Sequence, residues 1–414
     1  MYKRQTAHEL ATDGHDVVVY ERHQTVAEEG SFASTALLAP VWTGAPDGQA
    51  AEPPSLAACL GLRPGLQLAG LPGAGQWHWL WSRARAAQGV SRTALGPHQQ
   101  RLARYGQERL LALATQHELD HERQAGLLVL WRTEREHAQA QPGLRWLKEQ
   151  GAVLRELGAA EARQREPALN PDTTLHAALE LPGACAINGR QLVLQLRDLA
   201  RQRGVRFEFG CEVHAMAPGP EVRLDIGHPT QGLQAERFDA VVVCAALGSP
   251  ALLQPLGRRL ALQPVWGYTL SAMVREPLDA PVASVIDART RISISRLGQR
   301  VRVAGGQLLG PRAASRSPAQ LRRLYRTLAD WFPGAARIAG PQAAVQEWQG
   351  ATACSPDGLP VLGESGLPGV WLNLGHGPHG WSTACGGARL LADRLRGAVP
   401  DIDLGPYALP RSST

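Results

Sequence analysis

The spacing of apolar residues predicts alternating helices and strands along most of the chain. Near the start, Ala7, Leu10 and Ala11 recur at helical spacing, and Gly14 suits the residue after a helix. The apolar run at 17–20 predicts a short buried strand that ends at Glu21. Further helices are predicted over 102–114, 134–150, 192–203 and 318–331, with strands over 126–131, 205–209 and 239–244. This alternation indicates an α/β fold.

Strict alternation of polar and apolar residues marks a second kind of structure. Residues 291–295 and 300–303 alternate and are joined through Gly298, which predicts an antiparallel hairpin with one wet face. Such a sheet suits the floor of a substrate site. Residues 44–75 are rich in Gly, Pro and Ala without periodicity, so we expect an irregular crossing between two domains there.

A glycine-rich stretch near the C-terminus is the strongest local pattern. An apolar strand is predicted at 370–372, a loop at 373–387 and a helix at 388–395. Gly375, Gly377 and Gly380 let the backbone approach a ligand closely, and a helix start attracts negative charge. The spacing alone leaves two interpretations, a ligand-binding loop and a tight turn without a ligand.

Composition narrows the class of protein. The chain has 414 residues, 44% hydrophobic and 19% charged residues and a net charge of +6, which suits a globular protein of two domains. The arginines are dispersed, which argues against a nucleic-acid partner and leaves a weak attraction to anionic lipid headgroups. No apolar run approaches ~20 residues and no signal sequence is visible, so we expect a cytoplasmic protein. The six cysteines include no CxxC pair, so no metal site is predicted.

Several motifs, taken together, resemble one family. Gly375-His376-Gly377 with Gly380-Trp381 resembles the flavin-contacting motif of the D-amino acid dehydrogenase small-subunit family, which is part of the D-amino acid oxidase-like FAD-dependent oxidoreductases. Segments 348–350, 355–360, 267–270, 292–303 and 241–249 are also similar to that family, in order and over nearly the whole chain.

The resemblance implies a fold and a reaction. The fold is an FAD-binding Rossmann-like domain formed by 1–45, 170–250 and 346–414, plus a substrate domain of antiparallel sheet and helices formed by 46–169 and 251–345. The reaction is oxidative deamination of a D-amino acid or related amine by hydride transfer to FAD. Electrons would then pass to a quinone or another carrier, with peripheral association at the inner face of the cell membrane.

The resemblance also implies site residues. The expected cofactor-binding residues are Glu21, Arg22, Val213, Gly248, Gly375, His376, Gly377, Gly380 and Trp381. The expected catalytic residues are Tyr268, Arg296 and His376. The family's substrate-binding Arg stands in a Gly-x-Arg-Pro segment, where this chain has Thr352, and Arg296 is the candidate to replace it. The chain also departs from the family at 34–37, near the flavin.

The phosphate-binding glycine loop raises a further question. A GxGxxG motif is expected ~20 residues before Glu21, and counting back reaches the first residue, whereas the first glycine is Gly14. We therefore expect the first strand and glycine loop to be missing. Either the gene model starts late, or the sequence is a fragment, or the protein has lost the element that holds the pyrophosphate. Two alternatives remain open: a non-catalytic fragment of this fold that binds no flavin, and an RNA- or nicotinamide-linked enzyme with the same fold.

Overall fold

The computed structural model describes residues 1–32, 34, 36–40, 65–86, 89–341 and 343–409, with side chains from 95 onward in the helix that begins at Gly89. The part of the predicted crossing at 44–64 lies outside these residues. The helices are α1 (Tyr2–Thr12), α2 (Ala74–Ala86), α3 (Gly89–Gln116), α4 (Glu134–Glu149), α5 (Ala159–Arg165), α6 (Gly189–Gln202), α7 (Ser249–Leu253), α8 (Pro318–Trp331) and α9 (Gly380–Leu395). Within the described residues, no helix is both long and apolar enough to cross a bilayer.

The strands confirm the α/β fold and its antiparallel part. They are β1 (Val18–Glu21), β2 (Leu37–Leu38), β3 (Gln67–Leu68), β4 (Gln124–Trp131), β5 (Arg155–Gly158), β6 (Ala177–Ala186), β7 (Arg206–Phe209), β8 (Glu212–Ala217), β9 (Val222–His228), β10 (Gly232–Phe238), β11 (Val241–Val243), β12 (Gln263–Met273), β13 (Ser284–Asp287), β14 (Ile292–Leu297), β15 (Arg300–Leu309), β16 (Gln346–Cys354), β17 (Val361–Leu367) and β18 (Val370–Leu374).

The strands form four sheets. Strands β1 and β7 pair in parallel, and β11 pairs in parallel with β18, which is flanked on its other side by antiparallel β17. Strands β8 to β10 form an antiparallel meander. The large mixed sheet follows the order β16-β12-β15-β14-β13-β4-β6-β2. Strands β2, β6 and β16, which the predicted domain ranges assigned to the FAD-binding part, belong to this sheet. The domain ranges themselves stay a prediction.

Helix α9 begins earlier than the glycine content indicates. The sequence predicts a loop up to residue 387, yet the helix starts at Gly380. A Cβ on Gly386 would lie 2.9 Å from Cδ1 of Tyr105 and 3.0 Å from the nitrogen of Gly106. These glycines therefore permit α3 and α9 to cross at backbone contact, which offsets their low helix propensity.

The two faces of the large sheet differ in chemistry. One face packs against α8 in a core that includes Tyr268 and Leu270 of β12, Val301 and Val303 of β15, and Ile294 of β14. Because side chains alternate along a strand, the intervening residues point to the other face. That face carries a row of buried polar groups, namely Thr269, Ser271, Ser293 and Ser295.

Candidate functional site

A cavity of about 1280 Å³ lies where the parallel strands end. Glu21 closes β1, Gly248 follows β11 and His376 follows β18, and all three residues line the cavity. The carboxyl ends of parallel strands are the usual position of ligand sites in α/β folds. The volume exceeds the ~300–1,000 Å³ of ordinary small-molecule pockets, so the cavity is large enough for an extended ligand.

The structure brings most of the predicted cofactor residues together. The cavity is lined by Glu21, Arg22, Val213, Gly248, His376, Gly377, Gly380 and Trp381. Gly375 is outside this lining. It adopts a φ of +69°, and a Cβ there would lie 2.9 Å from Cδ2 of Leu262, so it serves the turn after β18.

One end of the cavity carries a buried carboxylate beside two cations. Oε2 of Glu21 accepts hydrogen bonds from Lys3 Nζ at 3.0 Å and Arg4 at 2.8 Å. Burial opposes ionisation of Glu21, but Lys3 and Arg4 outweigh it and lower the pKa to about 2. Glu21 is therefore ionised at neutral pH, and Oε1 accepts only the His23 N–H, at 3.3 Å, within the described chain. Its remaining lone pairs suit hydroxyl donors such as those of a ribose.

His376 is held as a structural link between β18 and α9. Its Nδ1 lies 2.8 Å from Oγ1 of Thr383, and its Nε2 lies 2.5 Å from Oδ1 of Asn373. Nδ2 of Asn373 donates in turn to Oγ1 of Thr6 in α1, at 2.8 Å. Burial lowers the pKa of His376 to about 3, so the ring is neutral and both nitrogens are engaged. This geometry supports a role in shaping the cavity rather than in proton transfer.

Trp381 forms another part of the cavity wall. Its Nε1 donates to Oγ of Ser34 at 2.7 Å, and its ring lies directly against Gly189, where any Cβ would overlap the indole. Ser34 and the β16 residues 351–353 also line the cavity. Thr352, which stands where the family has its substrate-binding Arg, is thus a cavity residue.

Arg302 is a candidate site residue that the sequence did not reveal. It lies on β15 opposite Ser271 and Ser295, so it belongs to the polar face of the sheet. Its guanidinium donates to the carbonyl of Ser34 at 3.1 Å, and its Nε is buried without a hydrogen-bond partner in the described structure. Burial and Arg300 lower the pKa of Arg302. The alternation at 291–295 and 300–303 predicted one wet face, but Ser293 and Ser295 on that face are buried, so the face is polar without being exposed to solvent.

Tyr268 and Arg296 are not brought to the cavity. Tyr268 is buried in the core under α8, where its hydroxyl donates to the carbonyl of Ser315 at 3.3 Å and accepts from the N–H of Ser317 at 3.2 Å. Arg296 is half-buried and donates to the carbonyl of Gly298 at 3.2 Å. Strand alternation directs both side chains away from the polar face, so neither touches the site as predicted.

Comparison with known proteins decides the family. The model of the family described as FAD dependent oxidoreductase, DAO, matches residues 5–394. The chain belongs to this family of FAD-dependent oxidoreductases. D-amino acid dehydrogenase of Cereibacter sphaeroides is 32% identical over 98% of the chain and 92% of that protein, and that of Vibrio cholerae is 31% identical over 93% and 90%. Glycine oxidase from Geobacillus kaustophilus has the same fold, with a TM-score of 0.73 at 21% identity over 99% of the chain and 96% of that structure.

The cavity of this FAD-dependent oxidoreductase fits its cofactor in size and in donor chemistry. Glu21 would accept ribose hydroxyls, and the start of α1, with Lys3 and Arg4, offers positive charge for phosphate groups. Gly377 and Gly380 at the start of α9 allow a ring to approach the backbone. The predicted FAD cofactor is therefore confirmed by family and is compatible with the geometry.

Gly377→Val is expected to weaken FAD binding by about tenfold or more. Gly377 lines the cavity with a φ of +58°, a conformation that costs a β-branched residue on the order of 1–3 kcal/mol. Gly151→Val is the matched control, because Gly151 has a φ of +71° but nothing lies within 4 Å of an added Cβ. FAD affinity is measured by fluorescence titration of the reconstituted protein. Equal loss in both variants would mean that Gly377 serves only the turn.

Proposed function

We propose that the chain oxidises a D-amino acid, with Arg302 binding the substrate carboxylate. The observation that carries this is the shared contact at Ser34. Arg302 donates to the Ser34 carbonyl while Trp381 donates to the Ser34 hydroxyl, and both Ser34 and Trp381 line the cofactor cavity. Arg302 is half-buried with a buried Nε, and the described residues give it no ion-pair partner; such a guanidinium near the cofactor cavity suits a small carboxylate ligand. The named relatives are D-amino acid dehydrogenases.

The polar face of the sheet supplies the rest of the proposed substrate site. Ser295 Oγ donates to Ser284 Oγ at 3.0 Å, and Ser284 donates to Oε1 of Gln124 at 3.0 Å, so this row is internally ordered. The row orders β14, which pairs with the strand β15 that carries Arg302, and this helps to position the guanidinium. The α-amino group would be bound as the neutral amine, and no side chain needs to accept a proton from carbon.

FAD would supply the oxidising chemistry, and the protein residues would hold the substrate beside it. When bound, FAD supplies the two-electron acceptor for oxidation of the substrate Cα–N bond to an imine, which water hydrolyses to a 2-oxo acid and ammonium. The protein residues bind, orient and enclose the substrate. Neutral His376 adds no charge to its part of the cavity wall.

The proposal includes an electron acceptor and a location. We infer that electrons leave to a quinone or protein carrier, and that the protein works at the cytoplasmic face of the membrane as a peripheral component. Five cysteines of the described residues are free thiols, as is usual in a reducing compartment. Cell fractionation tests the location.

The direct experiment combines a visible spectrum with a substrate panel. We expect the purified protein, supplied with FAD, to show flavin bands and to reduce an artificial dye with D-amino acids but not with their L-enantiomers. Amines without a carboxylate should react much more slowly. A flavin-loaded protein that reduces the dye only with carboxylate-free amines, or only with L-amino acids, would contradict the proposal.

A further inference from the structure

Helix α2 presents two tryptophans to solvent on one narrow stripe. Trp77 and Trp81 are each 54% exposed and stand four residues apart, so they project from the same side of the helix. Exposed Ala74 and Arg85 fall on the same stripe at helical spacing, and Leu71, just before the helix, is 89% exposed. The other exposed large apolar residues of the described chain are aliphatic and not aromatic, and exposed aliphatic residues are common on protein surfaces.

The tryptophans are held in this orientation by the inner side of α2. Trp79 and Leu80 are buried in a cluster with Leu66, Val265 and Leu309. Nε1 of Trp79 donates to the carbonyl of Cys354 at 2.9 Å. Because the inner side is already packed, Trp77 and Trp81 cannot turn inward without displacing this cluster. The outward face is therefore a fixed feature of the fold.

The chain segment that carries this face has no acidic residue. The sequence contains no Asp or Glu between Glu52 and Glu108, and α2 ends with exposed Arg85, whereas Arg83 is buried over the ring of Trp79. The guanidinium of Arg85 lies 4.7 Å from the centre of the Trp81 ring. At the other end, exposed Arg312 donates its backbone N–H to the carbonyl of Ala69, and its side chain lies near Gly70, the neighbour of Leu71. The apolar stripe is thus bordered by cations at both ends.

Tryptophan beside arginine on a helix face is the chemistry of a membrane interface. Indole rings favour the headgroup region, and arginine reaches anionic phosphates while its stem stays in the apolar layer. We propose that the face formed by Leu71, Trp77, Trp81 and Arg85, with Arg312 at its border, binds the surface of an anionic lipid bilayer. Helix α2, ~20 Å long, would lie flat in the headgroup layer.

The position of α2 connects this face to the cofactor cavity. Cys354, whose carbonyl accepts the Trp79 hydrogen bond, is the last residue of β16. Its backbone pairs with that of His376 in an isolated antiparallel β-bridge. Residues 351–353 and His376 line the cavity. A bilayer bound at α2 would therefore lie close to one wall of the cavity. An electron acceptor dissolved in the lipid would then be near the cofactor. This step rests on the membrane association in the proposed function.

Vesicle co-sedimentation tests the proposal. The flavin-supplied protein is mixed with vesicles of phosphatidylglycerol and phosphatidylcholine, or of phosphatidylcholine alone. We expect binding to the anionic vesicles, weakened by salt, and a loss of about tenfold or more in Trp77→Ser/Trp81→Ser. Arg85→Glu should weaken binding to anionic vesicles selectively. The control Val399→Ser changes a residue that is 93% exposed elsewhere and should bind like the parent protein.

Each outcome separates the surface from the rest of the proposed function. If the parent protein binds anionic vesicles and the double variant binds equally well, the α2 face is not the membrane surface, although association itself stands. If the parent binds no vesicles, the face and the membrane association both fail, while dye reduction tests amino-acid oxidation independently. A parent that is dimeric where the double variant is monomeric would overturn the proposal in favour of a second copy. Thermal midpoints verify that each variant is folded.

Discussion

Gly106→Ala is expected to lower the free energy of unfolding by about 3 kcal/mol. A Cβ on Gly106 would lie 3.1 Å from the nitrogen of Gly386 and closer still to the carbonyl oxygen of Ser382. Both atoms belong to the backbone of α9, so neither can move away as a flexible side chain would. The helices must separate, and the low-propensity glycines of α9 then lose the packing that offsets them.

The same change should also reduce FAD retention, because the start of α9 carries Gly380 and Trp381 into the cavity wall. Chemical denaturation and flavin content after gel filtration measure the two effects. Gly183→Ala is the matched control, since it lies in β6 with nothing within 4 Å of an added Cβ. Loss of stability with full flavin retention would show that the α3–α9 crossing and the cofactor cavity are independent.

Local periodicity predicted most of the fold correctly. The helix before Gly14, the strand ending at Glu21 and the alternating hairpin all lie where the sequence indicated. Each of these follows from residues close together in the chain, for which burial on one face fixes the pattern. The predicted start of α9 was wrong because it depends on a contact between residues far apart in the chain. Glycine in isolation predicts a loop, and only contact with Gly106, hundreds of positions away, makes helix the better state.

The residues of the candidate site also differ in whether the sequence alone could predict them. The cofactor-binding residues predicted at strand ends and helix starts gather around one cavity because topology brings the carboxyl ends of parallel strands together. The proposed substrate residue could not be predicted, because one residue of register decides which face of a strand a side chain joins. Tyr268 and Arg296 lie on the core face of the large sheet, whereas Arg302 lies on its polar face. Its contact with Ser34 joins two distant segments, which no local pattern records.

Arg302→Ala is expected to lower kcat/KM for D-amino acids by about 10²–10³-fold. Removing this half-buried cation leaves the carboxylate of the substrate unpaired in the proposed site, a loss of about 2–5 kcal/mol. Arg302→Lys should recover part of the activity, because it restores the charge but not the two-pronged geometry. Amines that lack a carboxylate should be oxidised at the same slow rate by the parent protein and by both variants, which separates substrate binding from damage to the fold.

Arg296→Ala supplies the matched control for this prediction. Arg296 lies on the adjacent strand β14, one residue from Ser295, which is the cross-strand neighbour of Arg302, but on the opposite side of the sheet. Its removal deletes one arginine charge on the face of the sheet away from the proposed substrate site, so kcat/KM should stay within about twofold. Dye-linked assays across a range of D-amino acid concentrations give both constants. Equal losses in Arg296→Ala and Arg302→Ala would mean that the sheet contributes only overall charge, and the carboxylate would then have to bind elsewhere along the cavity wall.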